Sequence, residues 1–361
     1  MSRGYNFAAG PAAVPEAVLR QAQAELLDWG QARASVMEIS HRGKLFAELA
    51  AESECDLRSL LDIPGNYKVL FLQGGATQHF AQIPMNFARR DRIADYVVTG
   101  HWGEKAVREA WTLADVRIAA NSDASRHTAI PARDTWTLHA DAAYVHYTPN
   151  ETIHGVEFQH VPDVGNVPLV ADMSSDILSR PLDVRKFGLI YAGAQKNIGA
   201  SGLVVMIVRE DLLERCPKDL PKIFNYAEHA ANDSMLNTPN TFGWYLASLV
   251  FKWLLGEGGL VAIGERNRAK AEHLYAGIDG SGGFYRNPVE PASRSWMNVP
   301  FTLFDEELNA LFLKESEAAG LLALKGHKAV GGMRASLYNA VTLEAVHALA
   351  DFMRDFAKRY G

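Results

Sequence analysis

The sequence predicts an α/β fold, with a mostly parallel sheet flanked by helices and a smaller α/β unit toward the carboxyl end. Three observations carry that prediction. Short runs such as VLFLQ and GLVVMIV are apolar at nearly every position, as strands buried on both faces are. Strand-like and helix-like segments alternate, and glycine turns join them. At 361 residues the chain exceeds the roughly 300 at which a single core stops growing, so a second unit is expected.

The elements follow in order. After an extended lead rich in glycine and proline, residues 15–28 have helical spacing, with Val18, Leu19, Ala22, Leu26 and Leu27 on one side. A second helix runs through LFAELAAESECDLRSLL. YKVLFLQ reads as a strand, GGAT as its turn and TQHFAQIPMNFA as a helix bent by Pro84. RIADYVV, GHWG and EKAVREAW repeat that order. TLHADAAYVHYTPN and VPLVADMSS are strands ending in polar residues, and FGLIYAG and GLVVMIV are two more. Helices are expected over 242–255 and 259–276. After Gly277 come a short strand around 284–287, the strand SWMNVPFTL, a helix over 306–319, GGMRASLY and a final helix. The expected division is a large unit of residues 16–256 and a small unit formed by 1–15 with 257–361. In such sheets ligands collect at the carboxyl ends of the strands. The tips GGAT, GHWG, PNET, ADMSS and AGAQKN should therefore meet in one crevice.

Composition narrows the function. With 48% hydrophobic and 22% charged residues the chain packs a core and is not disordered. Its net charge of −6 gives no general attraction to nucleic acid or anionic membrane, so any anionic ligand needs a local basic cluster. No stretch approaches the roughly 20 apolar residues of a membrane span, and the start lacks a signal peptide's apolar core, so the cytoplasm is expected. Cys55 and Cys216 lie in helix-like segments and are too few for a disulfide framework or metal cluster. They are read as reduced packing residues, and no metal is expected.

One lysine stands out. In YAGAQKNIGASG, Lys196 sits between Gln195 and Asn197 with no other charge from Leu189 to Val208. A lysine in a turn is ordinarily solvated. Held between two interior strands, it could instead be desolvated and nucleophilic toward a carbonyl, which is Schiff-base chemistry. A carbonyl cofactor there needs a carboxylate for its ring nitrogen, a flat surface for its ring, donors for its phosphate and a clamp for substrate. Asp172 at the end of PLVAD is the candidate carboxylate, with a turn or cap as its plainer role. Trp102 could stack on the ring or anchor a helix. Gly74-Gly75-Ala76-Thr77 opens a helix whose amino end favours phosphate. Thr152 and Gln195 add neutral donors. His41-Arg42, His327-Lys328 and Arg334 are basic clusters in glycine-containing loops, suited to a dicarboxylate and a phospho-acid.

These segments carry a resemblance. NFAAGPAAVP, SVMEISHRGK, NYKVLFLQGGATQ, ADYVVTGHWG, YVHYTPNETIHG, SSDILSRP, YAGAQKNIG, MLNTPNTF, SRSWMNVPF and ALKGHKAVGGMRASLYNA occur in the order found in the phosphoserine aminotransferase family. These are class-V, fold-type-I enzymes of pyridoxal 5′-phosphate, and the resemblance covers essentially the whole chain. It implies that Lys196 carries the cofactor, Asp172 pairs with the pyridine nitrogen and Trp102 stacks on the ring. It implies that Ala76, Thr77, Thr152 and Gln195 help hold the cofactor, and that Asn237 and Thr238 reach its phosphate from the neighbouring subunit of a homodimer. His41, Arg42, His327, Lys328 and Arg334 become the substrate clamp for glutamate and a phosphorylated keto acid in serine biosynthesis. A related phosphohydroxythreonine step in pyridoxine synthesis is also implied. The chain departs from some members that have arginine in place of Thr77 and of Lys328, and serines in place of Ala8-Ala9. Lysine does not reproduce arginine's bidentate fork. A serine or alanine transaminase is the nearest rival, a desulfurase a weaker one because both cysteines lie in apparent helices. An α/β regulatory protein without chemistry would not need Lys196, Asp172 and Trp102 together.

Overall fold

The computed structural model describes residues 3–361. Strand β1 (Tyr5–Asn6) and helices α1 (Glu16–Ala24) and α2 (Lys44–Leu61) lead into an alternating region. It comprises β2 (Tyr67–Gly74), α3 (Ala76–Phe87), β3 (Ile93–Val98), α4 (His101–Ala110), β4 (Asp115–Asn121) and β5 (Tyr144–Tyr147). A small hairpin of β6 (Asn150–Glu151) and β7 (Val156–Glu157) precedes β8 (Leu169–Asp172), β9 (Leu189–Gly193) and β10 (Gly202–Arg209). Then come α5 (Glu210–Leu213), α6 (Tyr226–Ala231), α7 (Thr241–Gly256) and α8 (Gly259–Asp279). The chain ends with β11 (Tyr285–Arg286), β12 (Asn298–Leu303), α9 (Asn309–Ala318), β13 (Leu321–Leu322), β14 (Met333–Ser336) and α10 (Leu343–Tyr360).

The main sheet has seven strands in the order β2-β10-β9-β8-β5-β3-β4. Only β10 runs antiparallel to its neighbours. Its orientation has a simple cause: residues 194–201 are too few for a parallel crossover, which takes about a dozen. The period of two along each strand sorts its side chains onto two buried faces. On one face Val69, Phe71, Leu203, Val205, Ile207, Ile190 and Ala192 join a core with residues of α2 and α7. On the other, Leu70, Leu72, Val204, Met206, Val208, Leu189 and Tyr191 pack with residues of α3, α4 and α6. Both faces exclude water, so ligands can approach only at the strand ends. A three-stranded sheet, β11-β12-β14, has its own core with α9 and α10. Phe7 belongs to that core, and β1 pairs in parallel with β13. Helix α8 spans both: Leu260 and Ile263 face the main core, Ala271 and Leu274 the smaller one.

Several expectations need correction. The first helix ends at Ala24, not Asp28, and leaves Leu27 86% exposed. The strand expected over TLHADAAYVHYTPN is confined to Tyr144–Tyr147. Before it, His139 turns away to bond the buried Asp95 through its backbone N–H at 2.7 Å and its ring at 2.8 Å. Strand β4 was not anticipated, because an edge strand with Arg117 and Ile118 facing solvent lacks a buried strand's apolar run. GGAT and GHWG are less turn than expected: helix begins already at Ala76 and at His101. Cys216 lies in a bend beyond α5, not in a helix, and Cys55 is an exposed residue of α2, not a packing one. Among the described residues no single helix is long and apolar enough to cross a membrane.

Candidate active site

The carboxyl ends of β2, β5, β8 and β9 and the amino ends of α3 and α4 line an open cavity of about 120 Å³. Its lining includes Ala76, Thr77, Trp102, Thr152, Asp172, Gln195 and Lys196, all singled out from the sequence. Gly75, Thr148, Asn150, Ser174 and Ser175 complete it. The five polar strand tips therefore do meet.

Lys196 is set by its loop. Ile198 and Gly199 both donate backbone N–H groups to Ala194 O, at 3.2 and 2.7 Å, which folds 194–199 into a tight turn. Asn197 pins the turn on two sides, donating to Ile177 O at 3.1 Å and accepting from Asn339 N at 3.0 Å. Gln195 folds back over Gly193, where a Cβ would come 2.6 Å from Gln195 Oε1, so a larger residue there would displace the Gln195 amide. Lys196 Nζ donates to Thr152 Oγ1 at 2.7 Å and lies 5.6 Å from the centre of the Trp102 ring. Burial presses its pKa down to about 8 against the opposing pull of Asp172 and Glu151, so roughly a tenth of the amine is neutral at pH 7, far more than for an exposed lysine.

Asp172 ends β8. Its Oδ1 accepts from Ser174 N at 3.0 Å and from Ser174 Oγ at 2.5 Å. No donor among the described residues reaches Oδ2. Burial raises its pKa, while Ser174 and Lys196 oppose that and favour the carboxylate. Ser174 also accepts from Gly193 N at 3.0 Å, so one hydroxyl holds the carboxylate and the end of β9 together.

Three residues that sequence reasoning missed shape the site. Ser174 is the first. Glu151 is the second: wholly buried, it accepts from Trp102 N at 3.0 Å and Gly103 N at 2.8 Å, capping α4 from another strand. A Cβ at Gly100 would come 2.6 Å from its carboxyl carbon. Burial pushes its pKa up to about 7 against those two N–H groups. Only its place beside Thr152 in PNET gave a signal, and a carboxylate capping a helix some fifty residues away leaves none. Lys105 is the third, donating to Thr77 Oγ1 at 3.1 Å.

The basic clusters divide. Arg334 Nη1 donates to Thr152 O at 3.3 Å, which brings it to the edge of the cavity. The His327 ring lies 5.9 Å from that of His101, itself 5.6 Å from Trp102, so the loop with Lys328 flanks the same mouth. His41 and Arg42 form no hydrogen bond with lining residues, and His41 Nε2 is buried with no partner among the described residues. Asn237 and Thr238 are also outside the lining. Asn237 Nδ2 donates to Gln73 Oε1 at 2.9 Å, and Thr238 O accepts from the Gln73 amide. A larger hollow, about 480 Å³, lies around Phe158 and Trp296. Its Arg180 is paired with Glu157 at 2.9 Å and lies over the Trp296 ring.

The cavity fits a planar, phosphorylated carbonyl compound. Trp102 Nε1 and Thr148 Oγ1 are buried without partners, which is costly unless a ligand meets them. Asp172 keeps an unclaimed carboxylate oxygen for a ring N–H, and no side chain caps the first turn of α3, whose N–H groups suit a phosphate. A desolvated lysine, a buried carboxylate and a tryptophan face at the strand ends of a doubly flanked sheet define a fold-type-I pyridoxal-phosphate enzyme.

Comparison with known proteins bears this out. The aminotransferase class-V family model matches residues 4–349. The phosphoserine aminotransferase of Stenotrophomonas maltophilia strain K279a is 62% identical over 361 residues, covering 100% of both chains. The solved phosphoserine aminotransferase from Bacillus circulans subsp. alkalophilus superposes with a TM-score of 0.98 at 50% identity, covering 99% of each chain. A PLP-bound phosphoserine aminotransferase from Trichomonas vaginalis gives 0.93 at 43% identity, covering 98% of this chain and 100% of that one. This chain belongs to the class-V aminotransferases, within their phosphoserine aminotransferase family. Its cofactor is pyridoxal 5′-phosphate.

Proposed function

We infer that the phosphoserine transamination of this family runs in the Lys196 cavity, with L-glutamate as amino donor and 3-phosphohydroxypyruvate as acceptor, giving 2-oxoglutarate and O-phospho-L-serine. The observation that carries the assignment is the burial of Lys196, with its lowered pKa, in one lining with Asp172 and Trp102. Pyridoxal phosphate, when bound, supplies an aldehyde that condenses with amines and a protonated ring that accepts an electron pair. The chain does the rest. Trp102 offers the flat surface that fixes the plane of the ring. Asp172 holds a proton on the ring nitrogen. Lys196 Nζ, once displaced by the substrate amine, takes the α-proton of glutamate and later returns a proton to the product carbon. Thr152, in contact with Nζ at 2.7 Å, orients it, and Gln195, Ala76 and Thr77 hold the cofactor.

The substrate clamp follows from the same reading. Arg334 takes the α-carboxylate common to all substrates, while His327 and Lys328, with His41 and Arg42, take the distal carboxylate or phosphate. Charge-assisted bonds contribute about 1.5–3 kcal/mol each. Lys328→Ala should therefore raise KM for phosphohydroxypyruvate about ten- to a hundredfold and leave unphosphorylated keto acids nearly unchanged. Arg334→Ala should weaken both classes alike. A half-reaction assay with glutamate, followed by a panel of keto acids, tests the assignment. Equal turnover of phosphorylated and unphosphorylated acids would point to a general transaminase. By the same recognition a phosphohydroxythreonine, in pyridoxine synthesis, is a second substrate.

The working unit in this reading is a cytoplasmic homodimer with composite sites, each chain dividing into 16–256 and 1–15 with 257–361. Asn237 and Thr238 are exposed and outside their own chain's lining, and His41 and Arg42 make no bond to it, which supports their serving the partner's site. Mixing Lys196→Ala with Thr238→Arg, each inactive alone, should restore activity in heterodimers, because one of the two sites then holds neither change. No recovery in heterodimers verified by mass would assign Thr238 to its own chain.

A further inference from the structure

We propose that Lys105 supplies the counter-charge for the cofactor phosphate, an assignment that rests on the pyridoxal-phosphate reading of the cavity. Lys105 lies one turn beyond Trp102 on α4, so the two share a face. Its Nζ sits 5.4 Å from the centre of the Trp102 ring and donates to Thr77 Oγ1 at 3.1 Å, at the amino end of α3. A surface helix offers this lysine an easier partner. Glu109 is four residues on, and on the same helix Glu104 and Arg108 do pair, at 3.3 Å. Yet no carboxylate lies within ion-pair distance of Lys105 among the described residues. Its charge is held against a neutral hydroxyl that lines the cavity.

The charge balance explains why. A phosphate monoester carries about −1.5 to −2 at neutral pH. The amino end of a helix offsets about half a charge. Lys196 is the one cation in the lining, and it faces Asp172 and takes part in the chemistry. About one negative charge is left over at the Thr77 end, where a single ammonium waits. Thr77 itself carries none, so the cation arrives from the neighbouring helix. It comes on the helix whose Trp102 supports the ring, and ring and phosphate are thus held by one rigid element.

The test compares pyridoxal phosphate with pyridoxal, which lacks the phosphate. Dissociation constants are read by equilibrium dialysis and by the absorbance of the bound cofactor, for the unaltered protein, Lys105→Met and Lys105→Arg. Lys105→Met should weaken pyridoxal phosphate by about tenfold or more and leave pyridoxal unchanged, with Lys105→Arg close to the unaltered protein. Lys105→Gln carries the same expectation and serves if the methionine variant does not fold. Equal weakening of both ligands would overturn the proposal, because Lys105 would then be supporting α4 and Trp102 only. No weakening of either would also overturn it. If the unaltered protein bound neither ligand, the cofactor reading itself would fail, a result distinct from both.

Discussion

Lys196→Ala should abolish covalent attachment of the cofactor and reduce turnover by at least about 10²–10⁴-fold, the usual contribution of a positioned acid–base group. The fold persists. The side chain's one hydrogen bond is to Thr152 Oγ1, and the surrounding turn is fixed by backbone bonds and by Asn197. Pyridoxal phosphate should still be retained through its phosphate, but borohydride should no longer fix it to the protein. Mass analysis of peptides after reduction is the check, and cofactor found on another lysine would remove the central assignment. The unaltered protein carries a matching pH signature. Only the neutral amine has a free lone pair, and burial lowers the Lys196 pKa from 10.5 to about 8. Attachment should therefore accelerate as pH rises and level off just above 8, some two units sooner than for an exposed lysine.

Asp172→Asn should slow the α-proton step by orders of magnitude while glutamate binding changes little. The amide is close in shape, and its oxygen can still accept from Ser174 N and Oγ, which bond Oδ1 at 3.0 and 2.5 Å. What disappears is the negative charge, and with it the proton held on the ring nitrogen that makes the ring an electron sink. Rapid mixing of the loaded variant with glutamate separates the two effects. A normal single-turnover rate with weakened cofactor retention would make Asp172 a structural residue.

The central features were legible for identifiable reasons. Strands buried on both faces announce themselves, so the β2, β9 and β10 segments stood out, and with them the loop that carries Lys196. Residues at strand ends were legible because topology alone brings such ends together, as it does Asp172, Thr152 and Thr77. Half-exposed structure was not. Edge strand β4 has no apolar run, and the segment before β5 is governed by a side-chain bond to Asp95 across some forty residues. The same blindness hid Glu151 and Lys105. Each acts through one contact to a distant element, and no local pattern records which helix a carboxylate will cap. Asn237 and Thr238 stood out only through the family resemblance and His41-Arg42 only as a basic pair, because no hydrogen bond within one chain joins them to the residues lining the cavity.

The hairpin that follows β5 joins the two sheets through one amide. Asn150 Nδ2 donates to Ser175 Oγ at 2.9 Å and to Asn298 Oδ1 at 2.8 Å, and its Oδ1 accepts from Ser295 Oγ at 2.6 Å. Asn298 in turn donates to Ser336 Oγ at 3.0 Å and Tyr338 Oη at 3.2 Å, and all six residues are buried. Buried networks tolerate no half-made partners. The carboxyl-terminal sheet is therefore not an exchangeable module. A chimera that takes residues 284–361 from a distant relative inherits one half of a polar lock, and it works only if positions 150 and 175 travel with 295, 298, 336 and 338 as a set. Evolution faces the same constraint: these positions can drift together, but one substitution at a time leaves a stranded donor or acceptor beside the Lys196 pocket.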